Sequence, residues 1–141
     1  MSNSENLENG FKIESLTLVD CKFSRGPIIS SNSSEVDIKH DLQVDVNVKD
    51  NQVFVVEKFQ LSQSNNNEIE FNIEVTMLGV FSKNGEMPIP LEEFGYVNGA
   101  AIIFPYIREQ VTNLSLKGGL GNIILPPANF VNFYNNKSKV K

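Results

Sequence analysis

Side chains that commonly do chemistry are scarce in this 141-residue sequence, which has one cysteine, one histidine and no tryptophan. A single cysteine cannot form an internal disulfide, and any Cys–His nucleophile would need both Cys21 and His40. We interpret Cys21 as a small core residue and His40 as a residue near a sheet edge. A small enzyme built on this pair stays an alternative, because the two residues fall on strands that we predict to be neighbours. Otherwise we expect no enzyme activity, no cofactor and no metal.

Basic clusters and long apolar runs are also absent. The chain carries 12 Lys and Arg against 17 Asp and Glu, a formal net charge of -5, so it lacks the clustered cations that bind nucleic acid. No apolar stretch approaches the roughly 20 residues that span a bilayer, and the longest, 100–104, ends at Pro105. Residues 1–6 have neither the basic start nor the apolar run of a signal peptide. We therefore expect a cytoplasmic protein that does not insert into membranes.

Apolar and polar residues alternate with a period of two over much of the sequence from residue 11 to residue 81, which predicts β-strands. The pattern predicts four strands, at 11–23, 36–49, 52–62 and 69–81. In the first strand Leu16 and Leu18 fall on the opposite parity from their apolar neighbours, which indicates a bulge. Asp50-Asn51 and Asn65-Asn66-Asn67 predict tight turns, so the strands that they join must be antiparallel.

Beyond residue 81 the apolar spacing changes to three and four residues, which predicts helices. One helix begins at Leu91, is kinked or restarted at Pro105 and ends at Gly118-Gly119. A last helix opens at Pro127 or Asn129. Strands followed by helices predict an α+β fold with the helices on one face of an antiparallel sheet.

The ends of the chain are polar and carry no periodicity, so we expect them to lie outside the fold. The expected organisation is a disordered tail at 1–10, one domain at 11–136 and a basic tail at 137–141. A sequence that mimics a phosphate-binding loop, Gly118-Gly119-Leu120-Gly121, follows a helix rather than a strand and lacks the Lys-Ser/Thr of such loops. We therefore predict that the chain does not hydrolyse nucleotides.

Two segments of the helical half carry a specific pattern, Ile103-Phe104-Pro105-Tyr106-Ile107-Arg108-Glu109 and Leu125-Pro126-Pro127-Ala128-Asn129-Phe130. They resemble the signature of the SecB export chaperones, an aliphatic-Phe-Pro-Tyr-x-Arg-Glu helix followed by Leu-x-Pro-x-Asn-Phe at the start of the last helix. The similarity extends to Gly79-Val80-Phe81-Ser82 and to the first strand, and it covers nearly the whole chain from Phe11 to Tyr134.

The resemblance implies a SecB-like fold, a four-stranded antiparallel sheet followed by two helices, in a homotetramer built from two dimers. It also implies an ATP-independent holdase, which binds unfolded preproteins and delivers them to the SecA motor. On this resemblance Asp20 and Glu74 are the expected SecA contacts. Ser24, Asn72 and the short basic C-terminus depart from the family pattern, as does the missing Trp-x-Pro at Ser34-Glu35-Val36.

A holdase needs exposed apolar surface to capture unfolded chains. Ile28 and Ile29 stand in a polar loop with no strand to belong to, and further apolar residues surround the last helix. The expected client-binding residues are Ile28, Ile29, Leu120, Ile123, Ile124, Phe130, Phe133 and Tyr134. The alternative is that these residues only pack the last helix onto its own subunit.

The long helix is apolar over more than one stripe, so we expect another subunit to cover the excess. The expected interface residues are Val97, Ala101, Arg108, Val111 and Leu114. Two other functions stay open besides the enzyme: an adaptor that uses this fold to bind one folded partner, and a SecB-like chaperone associated with a toxin–antitoxin pair.

Overall fold

The computed structural model describes residues 10–32, 34–86 and 88–140, with side chains as far as residue 136. Four antiparallel strands form one sheet with the order β1-β4-β3-β2. The strands are β1 (Gly10–Arg25), β2 (Asp37–Lys49), β3 (Gln52–Asn65) and β4 (Glu68–Asn84). The predicted sheet is confirmed, but β1 and β2 lie at opposite edges of it, so the connection between them must cross the ends of both inner strands.

Both short turns bend where the sequence predicts. Asp50 has a φ of 56°, and Asn66 and Asn67 have φ of 52° and 66°, values that Asn and Asp adopt more readily than other residues with a side chain. Asn65 belongs to β3, where it pairs with Glu68, so the second turn consists of two residues rather than three.

The predicted bulge in β1 is confirmed, and a second one accompanies it. The register against β4 shifts between Ile13 and Ser15 and again between Leu18 and Asp20. Each extra residue moves the following side chains to the other face. The two parities of the sequence therefore become one apolar face toward the helices, formed by Phe11, Ile13, Leu16, Leu18, Cys21 and Phe23.

The helical half begins with α1 (Leu91–Phe94), continues through a π-helical turn (Gly95–Gly99) into α2 (Ala100–Lys117), and ends with α3 (Phe130–Val140). Glycine allows the π-helical turn to approach the sheet, since a Cβ on Gly95 would lie 2.7 Å from Val46 Cγ1 and 2.8 Å from Val53 Cγ1. The irregular turn lies before Pro105, and α2 continues through this proline, so the helix does not restart there, which was one of the two predicted outcomes.

The C-terminal cap of α2 and the N-terminal cap of α3 lie where the sequence predicts these helix ends. Gly119 has a φ of 71°, and the amide of Leu120 donates to Ser115 O at 2.8 Å, which is a Schellman stop. Asn129 caps α3, because its Oδ1 accepts from the amide of Asn132 at 3.0 Å. The last helix extends to Val140, so its backbone includes residues 137–140 of the expected basic tail. Residues 1–9 and Lys141 lie outside the described residues.

The core lies between the inner face of the sheet and the helices. It includes alternate residues of β3 and β4, and Ile103, Ile107 and Val111 of α2, which are fully buried. The opposite face of the sheet is mixed, with two apolar cross-strand pairs, Phe54 with Val80 and Val56 with Leu78, among polar residues. None of the described helices combines the length and apolar character needed to cross a membrane.

Candidate functional site

The segment that connects β1 to β2, residues 26–36, is held to the inner strands through Ser30. Glu70 Oε1 accepts from the Ser30 amide at 2.9 Å, and Glu70 Oε2 accepts from Ser30 Oγ at 2.6 Å. Asn65 Nδ2 donates to Ser30 Oγ at 3.0 Å, and Gln63 Nε2 donates to Ser30 O at 3.2 Å. Hydrogen bonds from the Ser30 side chain and from Gln63 lower the pKa of Glu70, so its carboxylate form is the one that binds the crossing segment.

A second attachment joins the start of this segment to the end of α2. Arg25 Nη1 donates to Gly118 O at 2.7 Å, and Arg25 Nε donates to Gly26 O at 2.9 Å. The negative end of a helix favours a cation at this place. Residues 26–36 are therefore bound on one side to the C-terminus of α2 and on the other to β3 and β4.

Ile28 and Ile29 lie between the two attachments. Ile28 is 73% exposed, whereas Ile29 is partly buried against the core. An isoleucine left this exposed in a tethered segment gains little from burial in its own subunit. Of the apolar pair predicted from the sequence, Ile28 is therefore accessible in the protomer, and Ile29 is accessible in part.

The segment that leads to α3 forms another apolar surface beside α2. Thr112 Oγ1 donates to Ile123 O at 2.9 Å, and the Ile123 amide donates to Ser115 Oγ at 3.4 Å, so the segment is fixed along the helix. Ile124 is 69% exposed. The other expected contacts in this region are partly buried against the core, namely Leu120, Ile123, Phe133 and Tyr134.

Two open grooves lie where this segment meets the helices, one beside α2 and the other between the start of α2 and the start of α3. One, of about 320 Å³, is bordered by Pro105, Arg108, Thr112 and Ile124 among others. The other, of about 410 Å³, is bordered by Val97, Ala101, Ala128 and Val131 among others. Val97, Ala101 and Arg108, which we expected at an oligomer interface, thus border the same grooves as residues expected to bind clients.

Two of the expected site residues are buried in their own subunit. Phe130 is 5% exposed, and its ring packs edge-on against Phe104 with centroids 5.7 Å apart. Val111 is 0% exposed, whereas Leu114 of the same helix is partly buried. Phe130 and Val111 therefore belong to the core of the protomer, because a helix that packs on two sides has internal apolar positions on more than one stripe, and their roles at contact surfaces stay predictions.

The expected SecA contacts lie together on the sheet face away from the helices, but lysines accompany them. Lys22 pairs in register with Glu74 and approaches Asp20 Oδ2 at 4.0 Å. Lys58 Nζ lies 3.4 Å from Glu74 Oε1. Hydrogen bonding from Asn72, followed by attraction to Lys58, lowers the pKa of Glu74 against an opposing effect of burial. This surface is therefore a mixed network of charges rather than an acidic patch.

Glu57 was not recognised from the sequence as a special residue, although it stands on the apolar parity of β3. Its side chain is 0% exposed, and its cross-strand neighbours Val44 and Met77 are buried apolar residues. Neither carboxyl oxygen has a hydrogen-bond partner in the described part of the chain. Burial without a partner raises the pKa of Glu57 to about 9, so the group is a neutral carboxylic acid at neutral pH.

The Cys–His pair of the enzyme alternative does not form. Cys21 is on β1 and His40 on β2, which are the two edges of the sheet and not neighbouring strands. Cys21 is also exposed rather than in the core, where its Sγ accepts from Gln110 Nε2 at 3.4 Å. Across the described residues, no cluster of three or more His, Cys, Asp and Glu side chains is placed to hold a metal ion.

The fold is that of a SecB-like chaperone. A SecB-like chaperone of Mycobacterium tuberculosis, solved in complex with a ChAD peptide from an antitoxin, superposes with a TM-score of 0.66. The alignment covers 83% of this chain and 90% of the other at 15% sequence identity, which shows likeness of fold alone. It confirms the predicted four-stranded antiparallel sheet followed by two helices.

Comparison of sequences identifies the family of the chain. The family model for the preprotein translocase subunit SecB matches residues 5–141, and this chain belongs to the SecB family. The protein-export protein SecB of Legionella pneumophila is 26% identical over 136 residues, covering 94% of this chain and 84% of its own length. That of Hahella chejuensis is 29% identical over 127 residues, covering 88% and 80%. The chain is therefore a SecB-family chaperone, and the prediction that it is not an enzyme is confirmed by its family.

Proposed function

We propose that this protein is an ATP-independent holdase of the cytoplasm, which binds unfolded precursor polypeptides for export through the apolar residues left accessible on its surface. The observation that carries the proposal is the exposure of Ile28 at 73% on a segment that is itself fixed by hydrogen bonds. A fixed apolar surface binds an extended chain without first having to be ordered.

The accessible apolar residues stand in two regions, the crossing segment and the surface beside α2. Ile28 and Ile29 belong to the first, and Leu120, Ile123 and Ile124 belong to the second. Phe133 and Tyr134 extend the second region along α3. Client release then depends on transfer to a partner of higher affinity or on mass action.

SecA is the partner that the export role requires, and a homotetramer built from two dimers is the assembly that we propose. The lysines beside Asp20 and Glu74 favour a second candidate, a SecB-like chaperone dedicated to one partner such as an antitoxin. A docking site that relies on acidic charge is weakened when each carboxylate already has a cation.

The test is suppression of aggregation of an unrelated denatured enzyme by the pure protein at stoichiometric concentration, without nucleotide. We expect suppression by the unaltered protein and reduced suppression by Ile28→Ser. Failure to suppress aggregation, together with tight binding to one folded partner, would instead support the dedicated role. Light scattering of the same sample tests the assembly, and a mass of one protomer would contradict the tetramer.

A further inference from the structure

We propose that Glu70 and Arg25 are positioning residues for client capture, because they clamp the crossing segment on both sides of Ile28 and Ile29. The inference rests on the proposed function and deepens it. Neither residue has to touch the client, since each acts by fixing the segment that presents the apolar pair.

The topology creates the need for such clamps. The segment 26–36 runs from one edge of the sheet to the other, and its described residues, 26–32 and 34–36, form neither helix nor strand. Its backbone is attached to the sheet by the Gly26 amide, which donates to Glu70 O at 2.8 Å. The remaining anchors described above come from side chains, so single substitutions can release the segment without removing a strand.

Glu70 supplies the clamp on the side of the sheet. Both of its carboxylate oxygens accept from Ser30, and Gln63 Nε2 donates to Oε1 at 2.9 Å. Hydrogen bonds to a carboxylate are shorter and stronger than neutral ones. Gln63 Nε2 also donates to Ser30 O, so every polar group of Ser30 is hydrogen-bonded. The residue directly after the apolar pair therefore cannot move independently of the sheet.

Arg25 supplies the clamp on the other side. It binds the carbonyls of Gly26, Pro27 and Gly118 at 2.9, 3.4 and 2.7 Å. Because Gly118 ends α2, this side chain also links the crossing segment to the helix end from which the second apolar region starts. The two regions proposed to bind clients are thus held in a fixed relation.

A clamped segment binds better than a free one because its ordering is complete before the client arrives. Removal of either clamp leaves the two isoleucine side chains in the protein, but the segment that carries them must then be ordered when the client binds. We therefore expect Glu70→Ala and Arg25→Ala each to weaken client binding about ten-fold, because the free energy of binding must then also order the segment and the side chains of the apolar pair.

The experiment measures the affinity of the full-length protein for a fluorescently labelled, permanently unfolded probe, reduced and carboxamidomethylated α-lactalbumin, by anisotropy. Matched controls are Glu68→Ala, an exposed carboxylate on the same strand as Glu70, and Lys12→Ala, an exposed cation on the same strand as Arg25. Exchange of the Ser30 amide proton is followed by NMR in each variant, because this amide donates directly to Glu70.

A positioning role predicts four results together. The control variants bind as the unaltered protein does, the Ser30 amide loses protection in Glu70→Ala, and Glu70→Gln, which keeps an acceptor for that amide, recovers most of the affinity. In an Ile28→Ser/Ile29→Ser background, Glu70→Ala then has no further effect, since the clamp acts only through the apolar pair.

Unchanged affinity in Glu70→Ala despite a deprotected Ser30 amide would overturn the inference and leave the proposed holdase intact. The same loss of affinity in the background that lacks the isoleucines would also overturn it. Absence of binding by the unaltered protein would overturn the proposed function itself, so the two failures are distinguishable.

Discussion

The buried carboxyl group of Glu57 makes the stability of the protein depend on pH in a way that can be calculated. Its pKa rises from 4.5 to about 9 because the folded protein removes it from water. Each pKa unit corresponds to about 1.4 kcal/mol, so the full difference is about 6 kcal/mol. This is comparable to the whole folding free energy of many small domains, about 5 to 15 kcal/mol.

The sign follows from which state holds the proton. Below pH 4.5 the carboxyl is protonated in both the folded and the unfolded chain, and Glu57 contributes no pH dependence. Between pH 4.5 and about 9 the unfolded chain releases this proton while the folded protein retains it, so the free energy of unfolding falls by about 1.4 kcal/mol per pH unit. At pH 7 the accumulated loss is about 3 kcal/mol.

Replacing Glu57 removes this loss. Glu57→Gln keeps the shape and a buried polar group but cannot ionise, and Glu57→Leu supplies an apolar side chain for an apolar site. We expect Glu57→Leu to raise the free energy of unfolding at pH 7 by about 3 kcal/mol or more. The assay is urea unfolding at several pH values and one fixed protomer concentration, because assembly also contributes to stability.

The decisive quantity is the difference in unfolding free energy between the unaltered protein and Glu57→Gln, plotted against pH. Groups that titrate equally in the two proteins contribute nothing to this difference, so its dependence on pH comes from Glu57 alone. We expect it to slope between pH 5 and 8, whereas the same difference for the exposed control Glu68→Gln stays flat. A flat line for Glu57→Gln would show that the carboxyl is hydrated or paired in the folded protein and would refute the reasoning.

Three further predictions test the packing and the surfaces. Gly79→Ala places a Cβ 2.7 Å from Ile103 Cδ1, so we expect a loss of about 1–3 kcal/mol in urea unfolding. Asn129→Ala removes the cap of α3 and should cost about 1 kcal/mol, seen as reduced helicity by circular dichroism; an unchanged spectrum and midpoint would contradict the cap. Asp20→Lys should weaken SecA binding by calorimetry if SecA docks on the outer face, and equal affinity would exclude that face.

The local pattern of the sequence was sufficient for the secondary structure. Alternation identified all four strands, and the change of parity at Leu16 and Leu18 indicated the bulge in β1. Local turn and cap chemistry, as at Asn129, identified where elements begin and end. Strands, bulges, turns and caps depend on residues that are neighbours in the chain, so they can be predicted from a single sequence.

Features that depend on distant residues could not be predicted in the same way. Ser30 and Glu70 are 40 residues apart, and nothing local indicates that they meet. β1 and β2 lie at opposite edges of the sheet and so separate Cys21 from His40. The position of the strands along the sequence does not determine their order in the sheet. Glu57 is different, because its place on the apolar parity of β3 was visible and predicts burial once the sheet faces are assigned.

The central claim is that unfolded chains bind the accessible apolar residues of the crossing segment and of the surface beside α2. Hydrogen exchange of the intact protein with and without the unfolded α-lactalbumin probe tests it most directly. We expect the probe to slow exchange at residues 26–32 and 120–134. Slowed exchange confined to the outer face of the sheet, with no change in these two segments, would contradict it.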